Sequence, residues 1–185
     1  MKKLSQVLLV SSALFVSSYS MAKSDIDYNY VGIQYFDNNL DDADCSENGL
    51  SLNGSIELNS DFFALGSYAD ASGNKLCGSK TISAGVGYQT LFGADSSAYG
   101  TLSLEDVSGD HYEDDNGLVV AVGLRGFVKP NLEGKIELAH HTAFDGNTVI
   151  TGGGAYWFDP QFAATGEVSL GSDVSGIAIG LRVDF

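Results

Sequence analysis

Between residues 174 and 185, apolar and polar side chains change places at every step. Ile177, Ile179, Leu181, Val183 and Phe185 fall on one side, and Ala178, Gly180, Arg182 and Asp184 on the other. A period of two marks an extended strand, whose successive side chains point to opposite faces. The same alternation recurs at 26–36, 49–58, 62–69, 81–89, 98–107, 118–128, 132–141, 148–158 and 162–170, with turn-forming clusters between the segments. The chain is therefore expected to be all-β. What remains is to say what covers the apolar side of so many strands.

The faces answer that in part. Leu50, Leu52, Ile56 and Leu58 alternate with Ser51, Asn53, Ser55 and Glu57, and Ile82, Ala84, Val86 and Tyr88 with Ser83, Gly85, Gly87 and Gln89. Leu118, Val120, Val122 and Leu124 oppose Ala121, Gly123 and Arg125, while Phe162, Ala164, Val168 and Leu170 oppose Thr165, Glu167 and Ser169. Segments 62–69 and 148–158 do not declare a facing. An apolar outside and a charged inside describe a closed antiparallel up-and-down barrel in a membrane, with lipid on one face and a wet lumen on the other. Ten strands close with both termini on one side; eight is the alternative if one hairpin merges. The rival is a soluble sheet whose charged face meets water.

Connection lengths favour the membrane. The even-numbered links at 59–61, 92–97, 129–131 and 159–161 are mostly short, and three of the odd ones, at 37–48, 71–80 and 108–117, are long. Short periplasmic turns and longer outer loops are the outer-membrane pattern. Tyr28, Tyr30, Phe62, Phe63, Tyr88, Phe92, Tyr99, Phe127, Tyr156, Trp157, Phe158, Phe162 and Phe185 stand near strand ends, where an interfacial aromatic girdle is expected.

Export is written at the start. Lys2 and Lys3, an apolar run from Val7 to Val16, and Ser20, Met21 and Ala22 read as a secretory signal over 1–22, leaving 23–185 as the barrel. Removing that segment keeps all 24 acidic residues and only seven of the nine basic ones, so the remainder is more negative than the −15 of the whole chain. Such a surface repels nucleic acid.

The closing residues resemble the C-terminal signature by which bacterial outer-membrane proteins are read by their assembly machinery. Gly180, Val183 and Phe185 match it, while Ala178 stands where a polar residue is usual. The resemblance implies the assembly machinery and outer-membrane lipid as partners. The segments Tyr28-Asn29-Tyr30-Val31, Gly49-Leu50-Ser51-Leu52-Asn53-Gly54-Ser55 and Ala84-Gly85-Val86-Gly87-Tyr88 are similar to a family of small proteobacterial outer-membrane proteins named for activation of plant innate immunity.

Several constellations could carry function. Cys45 and Cys77 fall in adjacent outer loops of an exported chain, so a disulfide is expected. Glu57, Glu105, Arg125, Glu133, Lys135, Glu137, Glu167 and Arg182 all face the predicted lumen and need partners there. They read as a sealing ion-pair network, or as the lining of a narrow path for which inward Gly85, Gly87 and Gly123 leave room. Acidic clusters at Asp41, Asp42, Asp44 and Glu47 and at Asp110, Glu113, Asp114 and Asp115 lack the EF-hand spacing and read as solvated loops, not a metal site. His140 and His141, with Asp145 and His111, could suggest a rim hydrolase, but adjacent strand residues face opposite ways. The expected function is structural or surface-interacting, through acidic, disulfide-tied loops and an unidentified extracellular partner, with no cofactor and no catalysis. A small porin is the alternative and a rim hydrolase the weak third.

Overall fold

The structure is a computed structural model that describes residues 23, 25–40, 45–73, 77–93, 95–109 and 114–185. Ten strands run in chain order: β1 (Tyr30–Leu40), β2 (Cys45–Glu57), β3 (Phe62–Gly73), β4 (Gly78–Leu91), β5 (Ser96–Gly109), β6 (Asp115–Lys129), β7 (Leu132–His141), β8 (Asn147–Trp157), β9 (Phe162–Gly171) and β10 (Val174–Asp184). Each pairs antiparallel with its neighbours in sequence, and β1 pairs β10 from Tyr30↔Asp184 to Leu40↔Val174, which closes the barrel. Closure leaves no free edge, the condition for a sheet to cross a bilayer.

The alternation sets which face meets lipid. Val31, Ile33, Leu50, Leu52, Val86, Leu104, Val122, Ile136, Val168 and Ile179 are all exposed on the outside. An uninterrupted apolar exterior on a closed cylinder is stable in hydrocarbon and not in water, and the molecule is an outer-membrane barrel. The soluble sheet, whose charged face would meet water, needs its apolar face covered, and among the described residues no strand covers it.

Four expectations are corrected. Every hairpin carries two separate strands, so the eight-strand alternative falls. The strands also run well past the alternating segments: β1 continues to Leu40, β3 to Gly73 and β5 to Gly109, into stretches expected to be outer loops. There both faces stand in water, so the backbone ladder continues while the side chains lose their two-sided pattern. At the other end, 26–29 does not belong to β1 but turns into the barrel. Finally, Tyr28, Phe63, Tyr99 and Trp157 are buried inside and take no part in a girdle. Phe62, Tyr88, Phe92, Tyr156, Phe158, Phe162 and Phe185 do face outward.

The unassigned segments resolve simply. On β3, Phe63 and Leu65 point inward and Phe62 outward; the alternation was masked because the inward residues pack on the buried Tyr28 and are themselves apolar. On β8, Thr151, Ala155 and Trp157 point inward and Ile150 and Tyr156 outward.

Candidate functional site in the barrel lumen

The lumen divides by depth. Its periplasmic end is filled by aromatic rings and ion pairs, starting from the segment that precedes β1. Tyr28 stacks on Phe63 at 4.4 Å between ring centroids and meets Tyr99 edge-on at 6.1 Å. Its hydroxyl shares a 3.0 Å hydrogen bond with Ser97. Two glycines make this packing possible: a Cβ on Gly87 would lie 2.1 Å from the Phe63 ring, and one on Gly123 would lie 2.4 Å from the Tyr99 ring. The room that inward glycines were expected to leave for a path is thus taken by aromatic rings laid against the wall.

Charged groups complete the closure. The Arg125 guanidinium donates to Glu133 Oε1 at 2.6 Å, and Trp157 Nε1 donates to Glu133 Oε2 at 3.3 Å. Arg182 is bonded to Asp184 at 2.7 Å and lies 3.8 Å from Glu133. Lys23 pairs with Asp184 and stands 4.0 Å above the Trp157 ring. Both arginines also donate to one main-chain oxygen, that of Asp27, at 3.0 and 2.9 Å. Glu57 accepts from the Tyr28 amide at 3.3 Å, and its own amide donates to Asn29 Oδ1 at 2.9 Å. Residues 23 and 25–29 therefore form a plug, held by side chains from around the wall.

The eight expected lumen charges all face inward, but they form separate groups. Arg125 and Lys135 are direct cross-strand partners, and each has its own carboxylate, which offsets the repulsion of opposed like charges. Lys135 pairs with Glu167 at 2.8 Å. Glu137 accepts from the Tyr99 hydroxyl at 2.7 Å, and Glu105 is bonded to His141 Nδ1 at 2.9 Å near the outer rim. Sequence reasoning missed the plug itself, and with it the roles of Lys23, Asp27 and Tyr28. It placed Asp184 on the lumen face without joining it to the network. The signal was there in part: Asp184 is the residue two beyond Arg182 on the same face.

Above the plug the barrel is hollow. A cavity of about 390 Å³ is lined by Gln34, Asn53, Ser67, Ser83, Thr101 and Ser103 and reaches down to Tyr28, Arg125 and Glu133. Small hydroxyl and amide side chains leave this part of the interior wet, unlike the filled end. At the rim, Cys45 opens β2 and Cys77 immediately precedes β4; the two form a disulfide with a Cα separation of 6.3 Å. The bridge ties the outer ends of those strands across β3. Glu47 is buried beside it and accepts from Ser79 at 3.0 Å.

The remaining candidates are dispersed. His140 faces outward to Thr148 at 2.9 Å while His141 faces inward. Asp115 caps the amide of Phe144 at 2.8 Å. Asp41, Asp42, Asp44, Asp110, His111 and Glu113 lie outside the described residues. Among the described residues, no three His, Cys, Asp or Glu side chains are grouped to hold a metal ion.

No family model matches the chain, and no curated protein matches it. Solved structures do. The KdgM porin, in complex with disordered oligogalacturonate, superposes over 83% of this chain and 99% of its own, with a TM-score of 0.51 at 12% identity. The outer membrane protein Ail of Yersinia pestis covers 83% of this chain and 99% of its own at 17% identity and a TM-score of 0.43. Neisserial surface protein A covers 84% and 95% at 15% identity and a TM-score of 0.41. At 12% identity the KdgM likeness is one of fold.

Proposed function

We propose that this outer-membrane barrel acts at the cell surface, through an acid-rich outer rim tied by the Cys45–Cys77 disulfide, and that its resting lumen does not conduct. The observation that carries this reading is the filled periplasmic mouth, where Tyr28, Phe63, Tyr99 and Trp157 are buried together with the Arg125–Glu133 pair. A molecule closed below and open above has its accessible chemistry on the outside. The reading includes no catalysis: His140 and His141 face opposite sides of the wall and do not converge on one point. It also includes residues 1–22 as a removed export signal, recognition of Gly180, Val183 and Phe185 by the barrel assembly machinery, and membership of the family named for activation of plant innate immunity. Gly180 has a second reason to be glycine, since a Cβ there would lie 2.2 Å from the Ile33 carbonyl across the closing seam.

Planar-bilayer recording of the purified protein tests the proposal. Silence at moderate voltage is expected; steady unitary conductance from the unaltered chain would reject it. The alternative of a small porin takes support from the 390 Å³ cavity, which extends through the wet part of the lumen.

A further inference from the structure

We infer that residues 23 and 25–29 are a displaceable plug, and that the barrel becomes a channel for small cations when the plug leaves. The inference rests on the closed-mouth reading above and goes beyond it. The plug belongs to no strand of the barrel. It is held by the contacts of Tyr28 with Phe63, Tyr99 and Arg125, by Lys23 on Asp184 and Trp157, and by hydrogen bonds made mostly by side chains of the wall.

What matters is what its departure leaves behind. Arg125 keeps Glu133, and Arg182 keeps Asp184, so neither buried cation is stranded. Asp184 loses Lys23 and retains the Arg182 guanidinium through both of its oxygens. Phe63 and Tyr99 stay seated over Gly87 and Gly123, flat against the wall, because those sockets belong to the strands and not to the plug. Tyr28 fills the space between the two rings, with Ile26 of the same segment packed against the cluster. A buried ion pair broken by removing one partner strongly resists separation, and this mouth is built so that no such pair is broken without a remaining partner.

The charge of the opened path sets its preference. Arg125, Arg182 and Lys135 are matched by Glu133, Asp184 and Glu167. Glu57, Glu105 and Glu137 remain in excess, with His141 as the only further basic group beside them among the described residues. A narrow wall with surplus carboxylates favours cations.

The test uses full-length protein expressed, exported and purified from membranes, compared with Tyr28→Ala by planar-bilayer recording in a potassium chloride gradient. The expected result is a silent parent and a variant with steady unitary conductance whose reversal potential has the sign of potassium selectivity. A variant that retains the heat-modifiable mobility and β-sheet spectrum of the parent but is silent overturns the inference and leaves the closed-barrel reading standing. An anion-selective variant overturns the cation assignment. A parent that conducts as well as the variant overturns the closed-barrel reading itself. Hydrogen exchange on the unaltered protein gives a second test independent of the variant's folding. The Tyr28 amide is expected to exchange at least tenfold faster than the paired amides of β1, and equal protection would overturn the inference.

Discussion

Two glycines, one facing the lumen and one facing outward, show how a single side chain decides what this wall can carry. Gly123 exists so that Tyr99 can lie across it and reach Glu137, and Gly152 faces outward with nothing within 4 Å of a would-be Cβ. Gly123→Ala should therefore destabilise the barrel by about 1–3 kcal/mol through overpacking. Gly152→Ala should be neutral or stabilising by up to about 1 kcal/mol, because a glycine in a strand carries an entropic cost and here has no steric purpose. Reversible urea unfolding in lipid vesicles, followed by tryptophan fluorescence from Trp157, separates the two. The ion pairs divide the same way. Glu133 is 5% exposed and serves Arg125, whereas Glu167 and Lys135 are about a quarter exposed. Glu133→Gln should cost about 3–5 kcal/mol by stranding a buried guanidinium, and Glu167→Gln at most about 1 kcal/mol. Equal losses in the same unfolding assay would show that the two pairs are comparably solvated.

At the scale of elements, what was legible in the sequence was whatever the bilayer enforces. Where a strand has lipid on one side and water on the other, its side chains must alternate; β2, β4, β6 and β9 could be read with their facing from that alone. Two kinds of position escaped. Above the lipid, as at Asp37, Asn38 and Asn39 of β1, both faces are wet, so a strand resembles a loop in everything except its backbone hydrogen bonds. Inside the periplasmic mouth, apolar residues such as Phe63 and Leu65 face inward because the plug supplies an apolar partner. Alternation cannot report a segment that folds into the lumen. The disulfide works on these extended outer ends. Closing a loop over a separation of 32 residues is worth about 3–4 kcal/mol. The Cys45→Ser, Cys77→Ser double variant should lower global stability by no more than that. Hydrogen-exchange mass spectrometry should show the loosening confined to the outer ends of β2 to β4, with the amides near Tyr88 and Tyr99 unchanged; uniform loosening around the barrel would contradict a local restraint.

The whole molecule is a cylinder whose two solvents differ along its length as well as across its wall. Outside, hydrocarbon surrounds the middle of each strand and gives way to water at the rims; inside, a filled end gives way to a hollow one. The exterior gradient can be measured directly. Val122 is 57% exposed at the middle of β6, and Leu170 is 58% exposed one residue from the outer end of β9. Area alone would predict the same penalty for a charge at either site. Depth predicts otherwise, because an arginine at the midplane must drag water or headgroups toward itself, whereas one near the rim already reaches them. Val122→Arg should cost about 2–4 kcal/mol and Leu170→Arg about 0–1 kcal/mol, both by equilibrium unfolding from vesicles. In detergent micelles, which deform around a charge more readily than a bilayer does, the difference between the two should shrink. A pair of variants equally destabilised in vesicles would place Val122 outside the hydrocarbon. That outcome would force the membrane band to be redrawn on a barrel whose strands extend far enough to allow it.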